Sequence, residues 1–193
     1  MEEEALEVQL FPLFLKLAGR TVLVVGAGVV ATGKVASLLA AGAAVRLVAP
    51  EATETLTELS RAGRLDFRQR VFAEGDLDGI WLAFTATSDA AAQRAVGRAC
   101  AARRVFCVAV DDPPNASAYS GSVVRRAPFT VAISSSGAAP ALTRLVRELV
   151  EHVLPEQDWV AHALRLRERW LADGTPMANR FAELLRELAA RAG

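Results

Sequence analysis

The chain has 193 residues, 52% of them hydrophobic, and its 22 basic and 22 acidic side chains cancel. So much apolar material excludes a disordered chain, and the balanced charge leaves no electrostatic footprint for nucleic acid or an anionic membrane surface. Cys100 and Cys107 form no C-x-x-C pair, the pattern of a reduced, cytoplasmic protein without a disulfide framework.

In chain order, Met1-Glu2-Glu3-Glu4 is acidic where a signal peptide would be basic. The charge-free stretch 21–33 is shorter than the roughly 18 residues of a membrane span. Residues 21–25 read as a buried strand, 29–41 as an Ala/Leu-rich helix ending at Gly42, and 44–48 as a second strand. A helix over 52–62, strands over 65–68 and 80–85, a helix over 89–103 and a strand over 105–110 follow. Strands apolar on both faces and separated by helices predict a parallel sheet covered on both sides, hence a doubly wound α/β Rossmann fold.

The texture changes after Asp111. Asp112-Pro113-Pro114-Asn115 is a breaker cluster, 129–133 reads as a strand, and Ser134-Ser135-Ser136-Gly137 leads into a helix. Leu142, Leu145, Val146, Leu149, Val150 and Val153 recur on that helix at three- and four-residue steps until Pro155 stops it. Two amphipathic helices follow, over 159–171 and 177–190. The expected plan is a dinucleotide-binding domain over 1–113, a small α+β dimerisation segment over 114–154 and a helical tail over 155–193. The middle segment is too short to bury itself well, which predicts packing against a second copy of the chain.

Directly after the first strand stands Gly26-Ala27-Gly28-Val29-Val30-Ala31, the G-x-G-x-x-A dinucleotide fingerprint. The first glycine permits the tight turn, the second admits a pyrophosphate to the backbone, and the small third residue, Ala31, lets helix and strand approach. The helix start offers free N–H groups and a positive dipole end to the phosphates. An acidic residue normally closes the second strand to hold the adenosine ribose. Here Val48-Ala49-Pro50-Glu51 brings Glu51 slightly late, so NAD rather than NADP is the weaker part of the expectation. Arg46, inside the strand, reads as structural.

The wider pattern resembles a known family. Phe11-Pro12-Leu13-Phe14-Leu15-Lys16-Leu17, the glycine segment through Gly33-Lys34-Val35-Ala36, and Phe84-Thr85-Ala86-Thr87-Ser88-Asp89 resemble the N-terminal module of siroheme synthase. So do Val110-Asp111-Asp112-Pro113 and the run from Val131 to Leu142. The segments come in that family's order and spacing, and the family is the precorrin-2 dehydrogenase, in some members also a sirohydrochlorin ferrochelatase and thus a lyase. The resemblance implies NAD-dependent oxidation of precorrin-2 to sirohydrochlorin, a step toward siroheme or cobalamin, by a stand-alone homodimer. It places Asp111 on the family's catalytic aspartate and Val29, Val30, Pro50, Glu51 and Thr87 among the dinucleotide contacts, with Ser135 in the serine-rich turn. Val108 departs from an asparagine found in many members, and Ser120-Gly121-Ser122 replaces a more apolar, proline-containing stretch.

For such a reaction the cofactor carries the hydride and the protein supplies position and a base. Asp111, at the carboxyl end of a parallel strand, suits that task, although an Asp turn ahead of Pro113 explains it as well. A substrate bearing many carboxylates calls for cations and free N–H groups. Arg125, Arg126, Arg144 and Arg147 suit it, as do Ser134, Ser135 and Ser136 ahead of a helix, though solvated arginines and a plain N-cap are the bland alternatives. His152 and His162 make no metal-ligand pattern and read as surface residues, so no resident metal is expected; ferrous or cobaltous ion would enter as substrate. Trp159 and Trp170 read as packing anchors. Two other readings remain open, another Rossmann dehydrogenase acting on a small hydroxy acid and a non-catalytic NAD-sensing module.

Overall fold

The computed structural model describes residues 9–137, 139–154 and 157–192. Its contacts divide the chain into two units: Met1–Ser120 with Ser136–Ala138, and Gly121–Ser135 with Ala139–Gly193.

The first unit is built around five parallel strands: β1 (Thr21–Val25), β2 (Ala44–Ala49), β3 (Asp66–Gln69), β4 (Leu82–Thr85) and β5 (Phe106–Ala109). They lie in the order β3-β2-β1-β4-β5 and are joined through helices α1 (Val29–Ala40), α2 (Glu54–Arg61) and α3 (Ala90–Ala102). Alternation along β1 explains the two-sided core. Val22 and Val24 pack with Val35, Leu38 and Leu56 of α1 and α2, while Leu23 and Val25 pack with Val96, Ala99 and Cys100 of α3. Both faces of β1 are thus apolar, as a central parallel strand requires. Asp89, read as the first helical residue, is instead the cap of α3, accepting from Ala91 N at 2.8 Å and Ala92 N at 3.2 Å. Cys100 and Cys107 are buried free thiols; their mutual hydrogen bond, with burial, pushes Cys100 upward.

The link from β3 to β4 is a 3₁₀ turn, Glu74–Leu77, rather than a helix. Asp76, in that turn, has a fully buried side chain. Arg68 Nη1 lies 2.8 Å from its Oδ1, Arg70 Nη1 2.7 Å from its Oδ2, and Ala73 N donates to it at 3.0 Å. Arg46 closes the same corner, donating to the carbonyls of Asp76 at 2.8 Å and Asp78 at 3.1 Å, which is the structural role read for it. Burial alone would raise the Asp76 carboxyl, but the donors from Arg70, Ala73 and Arg68 outweigh it and hold the group at about 2.

Since that value lies below the ordinary 3.8, the corner contributes its stability above about pH 4 and loses it as pH falls toward 2. Asp76→Asn should therefore cost about 2–3 kcal/mol, less than a fully buried pair because both arginines remain half in water. Thermal melts of the two proteins should differ by roughly 4–10 °C at pH 7, and the gap should narrow in acid.

In the second unit β6 (Ser122–Arg126) and β7 (Phe129–Ile133) form an antiparallel hairpin, Ser122 opposite Ile133 and Arg126 opposite Phe129. The helices α4 (Pro140–Val153), α5 (Gln157–Ala172) and α6 (Met177–Ala192) follow. β7 matches the expected strand, whereas no strand was expected over β6. Arg126 Nη1 ties the hairpin to the end of α4 by donating to Leu154 O at 2.7 Å. Pro155, expected to stop α4, lies outside the described residues. Leu166 and Trp170 of α5 are buried, whereas Trp159, 39% exposed, anchors less than expected. Among the described residues no helix is long and apolar enough to cross a membrane.

Candidate functional site

The strand order reverses between β1 and β4, and in an open parallel sheet the crevice outside the strand ends at that point is where ligands enter. The chain leaves β1 through Gly26 at φ +97°, and a Cβ there would stand 2.3 Å from the carbonyl oxygen of Ala86 beyond β4. Gly26 N donates to Val48 O at 2.9 Å and Ala86 N to Val25 O at 2.8 Å, which wedges the turn between its neighbours. Gly28 then caps α1 without a side-chain hydrogen bond, and the space its Cβ would fill is open. Behind it Ala31 is fully buried against the sheet. The N–H groups of Val29, Val30 and Ala31 belong to a first helical turn, which has no intrahelical acceptors and here carries no acid. An open cradle, orphan donors and a positive dipole end fit a dinucleotide pyrophosphate.

The loop after β2 is laced to this turn by residues the sequence reading passed over. Thr53 N donates to Ala27 O at 3.0 Å, and Thr53 Oγ1 meets Thr32 Oγ1 at 2.9 Å. Pro50 and Glu51, both exposed, are held beside the glycines in consequence. Thr87, following β4, accepts from Asp89 N at 3.2 Å through Oγ1 and from Gln93 Nε2 at 2.7 Å through its carbonyl. Its hydroxyl is thus engaged in organising the cap of α3. All these residues follow strand carboxyl ends, the edge where the fingerprint predicts the nucleotide.

Asp111 comes two residues after β5, exposed and at φ +55°. Its carboxylate makes no hydrogen bond among the described residues. The side-chain bond to the following turn is made by its neighbour: Asp112 accepts from Asn115 Nδ2 at 2.6 Å ahead of the short 3₁₀ turn Pro113–Asn115. An aspartate in the left-handed region without a turn bond is strain of the kind that collects at functional positions. The same unit holds a residue not singled out from the sequence. Lys34, half-buried on α1, donates through Nζ to Ser120 Oγ at 2.8 Å. Burial pushes its ammonium below the ordinary lysine range, and the charge of Asp111 acts in the opposite direction.

The expected substrate contacts fare unevenly. Ser135 Oγ accepts from Ala139 N at 3.1 Å and meets Thr143 Oγ1 at 2.9 Å, so it braces the entry to α4. Ser134 belongs with Ser135 to the second unit and Ser136, at φ +54°, to the first. Arg144 pairs with Glu148 at 3.0 Å and Arg147 with Glu151 at 2.7 Å along α4, while Arg125 is exposed on β6. His152 Nδ1 meets Glu148 O at 2.7 Å. His162 is not a surface residue as expected: its side chain is 13% exposed and lies 3.5 Å from Glu187. Among the described residues no three His, Cys, Asp or Glu side chains gather as metal ligands.

Comparisons with known proteins bear on the family and the fold. The family model described as putative NAD(P)-binding matches residues 13–122, and that of the sirohaem biosynthesis protein central segment matches residues 126–152. Siroheme synthase 1 of Serratia proteamaculans is 38% identical over 172 residues, covering 89% of this chain and 36% of that protein. The siroheme synthase of Citrobacter koseri is 42% identical over 160 residues, covering 82% and 35%. The chain thus spans about a third of the length of these relatives. The solved structure of SirC, a precorrin-2 dehydrogenase, superposes with a TM-score of 0.74 at 23% identity, covering 92% of this chain and 88% of the other, a likeness of fold.

Proposed function

The chain belongs to the putative NAD(P)-binding family, and from that premise we propose that it is an NAD-dependent precorrin-2 dehydrogenase, forming sirohydrochlorin on the way to siroheme. The observation that carries the reading is Asp111, an aspartate whose carboxylate makes no hydrogen bond among the described residues, at the strand-end edge that also holds the glycine turn. When bound, the dinucleotide supplies the hydride acceptor. The protein's share is to seat its pyrophosphate on the Gly26–Ala31 turn and its ribose near Pro50 and Glu51, whose carboxylate favours NAD over NADP. Asp111 receives the proton that the tetrapyrrole releases as its hydride departs. Thr87 borders the cofactor, and Ser134, Ser135, Ser136, Arg125 and Arg144 are the donors offered to substrate carboxylates, with Arg144 first giving up Glu148.

The same reading extends to a cytoplasmic homodimer. Leu142, Leu145, Leu149 and Val153 leave the apolar stripe of α4 exposed, between 52% and 78%, as a face that a second copy through the segment 114–154 would cover. Ferrous or cobaltous ion enters as a second substrate, with no resident metal.

Purified protein mixed anaerobically with fresh precorrin-2 and NAD should release NADH and sirohydrochlorin in equal amounts, and ferrous iron added afterwards should turn over faster with protein than without. Detectable NAD binding without NADH formation would overturn the dehydrogenase and leave a sensing module. Oxidation of hydroxy acids instead would identify a different Rossmann enzyme.

A further inference from the structure

A threonine in the last place before a helix ordinarily turns its hydroxyl to the free N–H groups of the first turn. Thr53 stands at that place ahead of α2, with an extended backbone at φ −61° and ψ 153°, and makes no such bond. Its hydroxyl lies instead 2.9 Å from Thr32 Oγ1, on α1 and 21 residues earlier in the chain. The direction of that bond follows from its other end. Thr32 Oγ1 donates to Gly28 O at 3.0 Å, which uses its one proton, so the donor across the gap is Thr53. Two hydroxyls thus run in series from the start of α2 to the second glycine of the dinucleotide turn.

The carbonyls held by the two threonines belong to the glycine turn itself. Thr53 N donates to Ala27 O at 3.0 Å, and Gly28 O accepts from Thr32 N as well as from its hydroxyl, both at 3.0 Å. In a planar trans peptide the N–H points opposite to the C=O. Fixing the Ala27 and Gly28 carbonyls toward the threonines therefore aims the N–H groups of Gly28 and Val29 the other way. Neither N–H has an acceptor among the described residues, and a Cβ on Gly28 would meet open space. Hydrogen bonds in series also polarise one another, which strengthens the donors of the turn they end on. The other end of the series holds the segment after β2, where Glu51 lies two residues before Thr53.

We propose that Thr32 and Thr53 are positioning residues for the dinucleotide: their hydroxyl relay aims the Gly28 and Val29 N–H groups at the pyrophosphate and holds Glu51 at the adenosine ribose. Affinity and the choice of NAD over NADP then depend on one pair of hydroxyls. The proposal rests on the dinucleotide reading of the glycine turn, not on the oxidation of precorrin-2.

Calorimetric titration of the intact protein with NAD and with NADP tests the relay. Thr53→Val keeps the branched shape and removes the hydroxyl. It should weaken NAD about tenfold, the size of one net hydrogen bond. NADP should weaken less, because a loosened Glu51 repels its extra phosphate less, so the ratio of the two affinities should fall about threefold. Thr53→Ser, which keeps the hydroxyl and drops the methyl, should restore both affinity and ratio. Thr32→Val should weaken NAD to a similar degree and add little to Thr53→Val in the double variant, as members of one network do. Each valine variant should melt within about 5 °C of the parent.

A Thr53→Val protein that melts lower yet binds NAD and NADP in the parent ratio would reduce the pair to a fold contact and overturn the proposal. So would a serine variant as weak as the valine, since the methyl rather than the hydroxyl would then matter. If the parent bound NAD but left precorrin-2 unoxidised, the dehydrogenase reading would fall while these titrations still decided the relay.

Discussion

Gly26→Ala should cost the protein about 2–6 kcal/mol and its dinucleotide binding together. Two independent penalties meet at this residue. An L side chain at φ +97° is strained by about 1–3 kcal/mol. In addition, a methyl placed 2.3 Å from Ala86 O cannot be accommodated by a rotamer change, since the obstacle is backbone. Prying the turn from β4 strains the Gly26 N to Val48 O and Ala86 N to Val25 O bonds at the switch point itself, a typical overpacking cost of about 1–3 kcal/mol. Gly28→Ala separates folding from binding. At φ −82°, with open space around the new methyl, the melting temperature should hardly change. Calorimetric titration with NAD should nevertheless show affinity falling tenfold or more, about 1.4 kcal/mol, because the methyl occupies the place a pyrophosphate needs. If Gly28→Ala bound NAD normally, the phosphates would lie elsewhere than on this turn.

The two glycines also mark how far the sequence could be read. β1, the glycine turn and α1 are local: strand, turn and helix signals follow one another within twenty residues, and their boundaries emerge to within a residue. The same holds for β7, a run rich in β-branched and aromatic side chains. β6 was missed because Ser-Val-Val-Arg-Arg has neither alternation nor length to distinguish it from a loop. It becomes a strand through its partner: the place of a Cβ on Gly121 is only 2.4 Å from Ile133 O, so the glycine admits the close approach at the open end of the hairpin. Asp76 was not singled out for a different reason. Glu-Gly-Asp-Leu-Asp reads as a polar turn, and nothing nearby announces that Arg68 and Arg70 will converge on one of its acids.

The candidate site divides along the same line. The fingerprint residues are consecutive, so spacing alone singled them out. Lys34 and Ser120 are brought together by the fold, through an α1 that starts at the dinucleotide turn and the segment that follows β5. No spacing rule predicts a group assembled from such distant segments. A resemblance supplied Asp111, and the side-chain hydrogen bond of the following 3₁₀ turn is made by Asp112.

That residue carries the second large prediction. Asp111→Asn should reduce precorrin-2 oxidation by about 10²–10⁴-fold, the range lost with a positioned base, and NAD affinity should be unchanged. Asparagine is the informative replacement. It is nearly isosteric and, like aspartate, tolerates φ > 0, so the backbone at +55° is not disturbed. Alanine removes the carboxylate but adds strain at that φ, mixing a folding effect into the kinetics. Since the Asp111 carboxylate makes no hydrogen bond among the described residues, Asn should also leave the stability within about 0.5 kcal/mol of the parent. The contrast with Asp112 completes the test. Asp112→Asn should weaken the 3₁₀ turn, whose Asn115 contact of 2.6 Å it disturbs, and lower stability before it lowers kcat. If instead Asp111→Asn oxidised precorrin-2 at the parent rate while Asp112→Asn did not, the proton acceptor would be the wrong one of two adjacent carboxylates.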